Sequence, residues 1–345
     1  MHELQWAEHI SLAGRNTLHI AASAAAMCDV NNLAQLPQAF ELAEAKDLPV
    51  LVLGEGSNVL FADNYPGLVL CITANQCAVI EHNSDSAIIR AEAGMLWNDL
   101  VHWSLARGWN GLENMALIPG TVGACPIQNI GAYGVEVAEF IETVEAYNRI
   151  TGQTKRLPNS DCAFGYRDSC FKQRRDEWVI TAVEFRLTKN RALKMNYAGV
   201  PEEIAAMGIS EPKAVHLAEA ISRIRSRKLP NPAILGNAGS FFKNPIVSEA
   251  QAETLRGIHE KLPVFPSGQP DTRKLSAAWL IEQAGWKGFR QGDAGIAEQH
   301  ALVLVNYGNA TGKELLDVAR QVVASVHDIF GITLEPEPRI IGADF

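Results

Sequence analysis

The stretch "ENMALIPGTVGACPIQNIGAYG", residues 113–134, constrains this chain more than any other. Gly120, Gly123, Gly131 and Gly134 are interleaved with Pro119 and Pro126, so neither a helix nor a regular strand runs through it. A loop of that length inside a compact domain is uncommon unless it is functional. Glycines at this density let a backbone press against a flat or pyrophosphate-bearing ligand, where side chains would collide. The plain alternative is a long connecting loop. A second glycine turn, Gly54-Glu55-Gly56-Ser57-Asn58, follows the apolar run "PVLVL". It reads either as a tight turn between strands or as consecutive backbone N–H groups offered to a phosphate. It is neither a P-loop nor G-x-G-x-x-G. Two glycine-rich stretches, each beside a strand-like segment, fit a dinucleotide better than a mononucleotide.

Around these loops the pattern is mixed. "LPQAFELAEAKDL" repeats its apolar residues at helical intervals, and "LVLCIT" and "AIIRAEAG" read as strands. "LWNDLVHWSLARG" is a helix with a terminal glycine stop, and "WVITAVEFRL" alternates as a half-buried strand. A polar helix carrying Arg223, Arg225 and Arg227 breaks at "KLPNP". Beyond it, "RKLSAAWLIEQAG" (273–285) predicts a helix, "ALVLV" a strand, "GKELLDVARQVVASVHDIFG" a long amphipathic helix, and "RIIG" a closing strand. A boundary is expected near residue 230.

The 345 residues exceed one ordinary core, so two or three domains are expected. A net charge of -9 argues against a general nucleic-acid or membrane-surface binder, since both partners are polyanionic. No basic segment followed by an apolar core opens the chain, and no apolar run approaches a membrane span. The six cysteines never form C-x-x-C, and no His/Cys cluster has zinc spacing. Reduced thiols, no metal and a cytosolic setting are expected.

Three further segments carry chemistry. In "FGYRDSCFK", Tyr166 and Arg167 sit in a loop-like setting; the guanidinium fork suits a carboxylate or phosphate, and an Arg167–Asp ion pair is the alternative. In "RSRKLPNPAILGNAGSFFKNP", Lys228 and the nearby arginines suit a diphosphate, or else form a solvated basic helix end. Ser240 is not in G-x-S-x-G and has no histidine near it in sequence, which weakens a hydrolase reading, although remote His300 and His327 stay open. In "LEPEPRIIG", period-two spacing puts Glu335, Glu337 and Arg339 on one face, as a surface strand end or as a buried acid beside a cation.

Taken in order, "LGEGSNVLF", "GLENMALIPGTVGACPIQNIGAYG", "FGYRDS", "KLP", "GNAGSFFKNP" and "EPEPRIIG" resemble the UDP-N-acetylenolpyruvoylglucosamine reductase family over nearly the whole chain. The resemblance implies a cytoplasmic flavoenzyme of peptidoglycan precursor synthesis that uses FAD and NADPH; a monomer is expected because nothing in the sequence marks an interface. Its fold would be α+β. Two FAD-binding subdomains of the vanillyl-alcohol oxidase type would occupy residues 1–75 and 76–229, with 332–345 returning to the second. An α/β substrate-binding domain would occupy 230–331. The small-molecule partners would be NADPH and UDP-N-acetylglucosamine-enolpyruvate, with no nucleic acid and no membrane.

Carried over by residue, the FAD site would comprise Gly54, Glu55, Gly56, Ser57 and Asn58, together with Pro119, Gly120, Thr121, Gly123, Ala124, Gln128, Asn129, Gly131, Ala132 and Tyr133. Arg167 resembles the arginine that binds the substrate carboxylate, Ser240 the proton donor and Glu337 the catalytic glutamate. Tyr166, Tyr197, Lys228, Asn244 and Arg339 resemble substrate contacts. Tyr197 implies the subclass in which a tyrosine-bearing loop folds over the substrate. Pro338 replaces the usual aliphatic residue between glutamate and arginine, which predicts a lost ladder bond in the last strand.

The implied reaction reduces a vinyl ether conjugated to a carboxylate, with hydride to C3 and a proton to C2. A cation at the carboxylate stabilises the enediolate-like charge more than the ground state. An ionised Glu337 would oppose that charge, so it is expected to act protonated or beside Arg339 or Lys228. A carbanion-like carbon is basic enough to take the Ser240 hydroxyl proton when positioning is good.

Overall fold

The computed structural model describes residues 4–345; the first three residues of the expected first subdomain lie outside the described residues. The chain forms two compact units, neither of them continuous in sequence. One comprises the segment ending at Ile10, Ala24–Glu55 and Pro66–Ser226; the other comprises Ser11–Ser23, Gly56–Tyr65 and Arg227–Phe345.

The first unit contains two larger sheets. Strands Gln5–Ser11, Ser23–Val30, Tyr65–Ile72 and Val50–Val52 form one, in that order. The predicted helix is Leu36–Ala45, with Pro37 in its first turn, where a missing N–H costs nothing. It buries Leu36, Ala39 and Ala43 against Val50, Leu68 and Leu70. The other sheet is antiparallel, ordered Gln153–Pro158, Ile141–Asn148, Trp178–Thr188, Ser86–Glu92 and Cys77–His82. The alternation of "WVITAVEFRL" predicts one buried face, yet Trp178 to Phe185 is buried throughout. Ile180 and Phe185 join one apolar cluster and Val179 another, so both faces of this central strand are covered.

In the second unit, strands Gly236–Ser240, Val303–Asn306, Ala294–Ile296 and Arg290–Gln291 form a sheet. The long helix Gly312–Phe330 starts from a Thr311/Glu314 capping box and stops at Gly331 in the left-handed region. The expected helix 273–285 is shorter than its periodicity suggests. Thr272–Leu275 is the middle strand of a small sheet, and the helix Ala277–Gln283 begins only after Ser276, whose side chain accepts the Trp279 N–H. A local N-cap thus overrides the apolar pattern.

The chain end also differs from expectation. The last strand is Arg339–Ile341, paired in parallel with Val59–Phe61, and its first bond runs from the Arg339 N–H to the Asn58 carbonyl at 3.0 Å. Pro338 lies one residue ahead of the strand, so its missing N–H removes no ladder bond. Glu335 and Glu337 therefore share no strand face with Arg339. Glu335 is exposed and pairs with Lys243 at 3.0 Å.

Among the described residues no helix is long and apolar enough to cross a membrane, and no group of three or more His, Cys, Asp or Glu is placed to hold a metal. All six cysteines are free thiols, and burial pushes Cys28 up to about 12.

Gly56 opens the second unit's share of the glycine turn. It adopts φ +68°, and a Cβ there would collide with the Arg15 carbonyl. Gly208 has a similar φ of +72° but open space around it. Gly56→Ala is expected to cost about 3 kcal/mol and Gly208→Ala about 1 kcal/mol, read from urea unfolding midpoints of the two variants.

Candidate functional site

In the first unit the two glycine stretches are in contact. A Cβ on Gly54 would lie 2.8 Å from the Thr121 Oγ1, and the Glu55 Oε2 accepts the Gly120 N–H at 2.6 Å. The loop beyond is pinned to the turn after strand Ser86–Glu92: Val122 N–H donates to the Met95 carbonyl (2.8 Å) and Gly123 N–H to the Ala93 carbonyl (2.9 Å). Ala124 N–H returns to the Thr121 carbonyl at 3.0 Å. The backbone N–H groups of Gly120, Val122, Gly123 and Ala124 are thus taken up by the chain itself. Part of the loop's glycine content is explained the same way, because a Cβ on Gly123 would come within 2.6 Å of the Ala93 Cβ.

Farther along, Gly131–Ala132 and Val135–Glu136 form a two-residue hairpin whose tip is Tyr133 (φ +50°) and Gly134 (φ +79°). Two successive positive φ values match the twist of a tight hairpin, but the first position usually belongs to Asn, Asp or Gly. A tyrosine there is strained, and such strain gathers at functional sites. Tyr133 meets Tyr197 edge to face, centroids 5.1 Å apart, and both line a cavity of about 620 Å³ with Leu193, Asn196, Arg191 and Lys194. The last two pair with Glu139.

The basic helix is not uniformly solvated. Arg223 and Arg227 are exposed, whereas Arg225 turns inward; burial holds its guanidinium below the usual arginine range, and nearby Tyr133 acts in the opposite sense. Its enclosed Nε has no hydrogen-bond partner. An orphaned donor beside Tyr133 suits an acceptor-rich group such as a flavin. Sequence reading treated this arginine only as one of several cations.

Tyr166 and Arg167 form the tip of a second tight turn. Gly165 and Asp168 exchange both backbone bonds, at 3.0 and 3.2 Å, and Arg167 takes φ +54°. The anticipated Arg167–Asp alternative does not describe Asp168, which accepts from the Gln173 Nε2 at 2.8 Å. Arg167 instead reaches the glycine-rich loop, with Nη2 donating to the Gly131 carbonyl at 2.8 Å. Its own carbonyl accepts from the Lys172 Nζ at 2.8 Å. Gln128 lies half-buried in the same loop.

In the second unit, Ser240 ends strand Gly236–Ser240 after a bulge at Gly239 (φ +69°), opposite Val303. Phe241 and Phe242, each 1% exposed, pack edge to face behind it. The Glu337 N–H donates to the Phe241 carbonyl at 2.8 Å, and Pro336 bridges Phe242. The returning chain end is thereby fastened beside Ser240. The Asn58 Nδ2 reaches the Glu337 carbonyl at 3.4 Å, so the glycine turn's last residue joins the same cluster. The Asn244 Oδ1 accepts the Ala277 N–H at 2.9 Å, at the start of the following helix. Lys228 is exposed at the end of its helix. His300 was missed as a neighbour of Lys228. Burial, then Lys228 and Lys287, hold its imidazole below the usual histidine range, and its Nδ1 accepts the Leu302 N–H at 3.2 Å. The neutral ring thus carries its proton on Nε2.

Comparison with known proteins gives one answer. The family model for the C-terminal domain of UDP-N-acetylenolpyruvoylglucosamine reductase matches residues 231–341, and an FAD binding domain model matches 24–157. A UDP-N-acetylenolpyruvoylglucosamine reductase of Xylella fastidiosa (strain 9a5c) is 53% identical over 342 residues, 99% of this chain and 97% of its own. One from Xanthomonas euvesicatoria pv. vesicatoria is 53% identical over 339 residues, covering 98% and 97%. The solved reductase of Thermus caldophilus has a TM-score of 0.66 at 25% identity, covering 99% of this chain and all of that one. The α+β FAD-binding fold expected from the sequence is borne out.

The positive φ at Arg167 sets a testable cost. Both Arg167→Ala and Arg167→Gly delete the guanidinium, but only alanine keeps a Cβ in the left-handed region. Chemical denaturation should find the glycine variant more stable by about 1 kcal/mol.

Proposed function

Because the chain belongs to the UDP-N-acetylenolpyruvoylglucosamine reductase family, whose members are FAD-dependent oxidoreductases, we propose that it reduces the enolpyruvyl ether of UDP-N-acetylglucosamine-enolpyruvate to UDP-N-acetylmuramate with NADPH as electron donor. The observation that supports the catalytic assignment is the Glu337 N–H to Phe241 carbonyl bond, which holds the backbone of an acidic residue against the residue that follows Ser240. The reading extends to a cytoplasmic monomer, with FAD subdomains within 1–75 and 76–229 and a substrate domain at 230–331; the closing segment 332–345, expected to return to the second FAD subdomain, falls in the compact unit that contains 230–331.

Residues 54–58 and 119–133 would hold FAD, which would supply the hydride chemistry linking NADPH to C3 of the enolpyruvyl group. Their mutual contacts, the strained Tyr133 and the orphaned Arg225 donor support that assignment. Arg167 binds the substrate carboxylate and stabilises the charge that gathers there as C3 is reduced. Its anchorage to the Gly131 carbonyl supports this, because a preorganised donor needs no reorganisation during the reaction. Ser240 gives its hydroxyl proton to C2 and recovers one from solvent afterwards. Phe241 and Phe242 exclude water behind it, so the proton comes from one side. Glu337 hydrogen-bonds the developing enediolate from the neighbouring backbone position. Tyr166, Tyr197, Lys228, Asn244 and Arg339 hold the rest of the substrate. Lys228 supplies positive charge to the diphosphate, and the neutral His300 beside it offers a further donor.

Anaerobic stopped-flow absorbance tests this directly. The purified protein should be yellow, bleach with NADPH, and recover its flavin band only on addition of the enolpyruvyl substrate. Ser240→Ala should bleach at a nearly unchanged rate, with recovery slowed at least ~100-fold. Equal losses in both phases would remove Ser240 from the proton-donor role, and a protein without a flavin band would remove the assignment altogether.

A further inference from the structure

Asn129 is 1% exposed and sits at φ +45°. Its side chain is committed in three directions. Oδ1 accepts the Ala138 N–H at 3.0 Å, while Nδ2 donates to the Glu136 Oε2 at 2.9 Å and to the Gly165 carbonyl at 3.0 Å. Glu136 and Ala138 lie on the far side of the Tyr133 hairpin, and Gly165 opens the turn that carries Tyr166 and Arg167. One buried amide therefore joins the glycine-rich loop, the hairpin and the arginine's turn.

The connection is reciprocal. Arg167 Nη2 returns to the Gly131 carbonyl at 2.8 Å and Nη1 approaches the Asn129 carbonyl at 3.5 Å. Ser169, two residues on, donates its hydroxyl to the Ile127 carbonyl at 2.6 Å. Asn129 and Arg167 both hold left-handed backbone conformations, which persist only where surrounding bonds over-determine them. With both amide hydrogens and its oxygen bonded inside the protein, the Asn129 side chain is poorly placed to bind a ligand directly, so the contribution of this residue to the FAD site would come from its backbone. The side chain is well placed to hold a group that binds one.

We propose that Asn129 is a positioning residue for Arg167, acting through its amide bond to the Gly165 carbonyl to aim the guanidinium at the substrate carboxylate. This rests on the functional reading above, in which Arg167 binds that carboxylate. Asparagine suits the position for two reasons: it tolerates positive φ, and its amide donates and accepts at once. Aspartate keeps the first property and the acceptor for Ala138 but cannot donate to Gly165. Glycine keeps only the backbone freedom.

The test is a double-mutant cycle on the FAD-loaded protein, reading substrate dissociation constants by titration calorimetry alongside kcat/KM. Asn129→Gly and Asn129→Asp are each compared with the parent, first in the native background and then with Arg167→Ala. Thermal melts confirm that each variant is folded, and the aspartate variant carries the test should the glycine variant fail. In the native background both should weaken substrate binding and lower kcat/KM by ~10–100-fold. In the Arg167→Ala background the same changes should shift the dissociation constant less than ~2-fold, because nothing remains to be aimed. Equal effects in both backgrounds, or native-like binding in the single variants, would overturn the positioning role while leaving the function intact. A parent protein that neither binds nor reduces the enolpyruvyl substrate would overturn the functional reading and this inference with it.

Discussion

The second unit depends on a pairing that spans most of the chain. Asn58 and Glu337, 279 positions apart, meet through a side-chain bond, and strand Arg339–Ile341 runs beside Val59–Phe61. Closing so long a loop carries an entropic cost, though one that grows only slowly with length. It is offset by the buried Val59, Leu60 and Phe61 and by Ile341, which also satisfy the backbone of both segments. The chemistry of this unit follows from that closure. Once Arg339 is paired with Asn58, the preceding residues lie along Phe241 and Phe242, and Glu337 comes beside Ser240. Without the pairing, an acid and a hydroxyl separated by nearly a hundred residues would have no reason to meet.

The first unit solves a different problem. Leu117, Asn129, Tyr133 and Arg167 all take positive φ, each at a cost of about 1 kcal/mol. These residues fall in or beside the segments that carry the glycine-rich loop and the arginine turn. Substituting glycine would relax the backbone, but it would remove the tyrosine ring, the buried amide and the guanidinium. The fold tolerates the strain because bonds from Asn129, Ser169 and Arg167 to one another's segments leave the backbone little alternative. Stability and function pull in opposite directions here, as expected of a preorganised site.

Much of this was legible in the sequence. Helical periodicity located Leu36–Ala45, Trp97–Leu105 and Gly312–Phe330, because amphipathic faces, and the glycine stops that follow the last two, are local properties. The glycine-rich loop announced itself through residues that no regular element accepts. What was not legible is what distant residues supply. The burial of Arg225 and its nearness to Tyr133 depend on residues far off in the chain, and the helix around it reads as polar on either side. The Asn129 clamp depends on partners at Glu136, Ala138 and Gly165, which no spacing rule links. Pro338 looked disruptive because it adjoins the expected strand "RIIG", whereas the first bond of that strand is made by the Arg339 N–H.

The central claim is that a fixed side chain, Ser240, delivers the proton to C2 while hydride goes to C3. Turnover with unlabelled NADPH in deuterated water, followed by proton and deuterium NMR of the product, tests it most directly. The account predicts deuterium at C2 in a single configuration; label at C3 as well agrees with it, because the N–H of a reduced flavin exchanges with solvent. An unlabelled C2, or a mixture of configurations at C2, would contradict it.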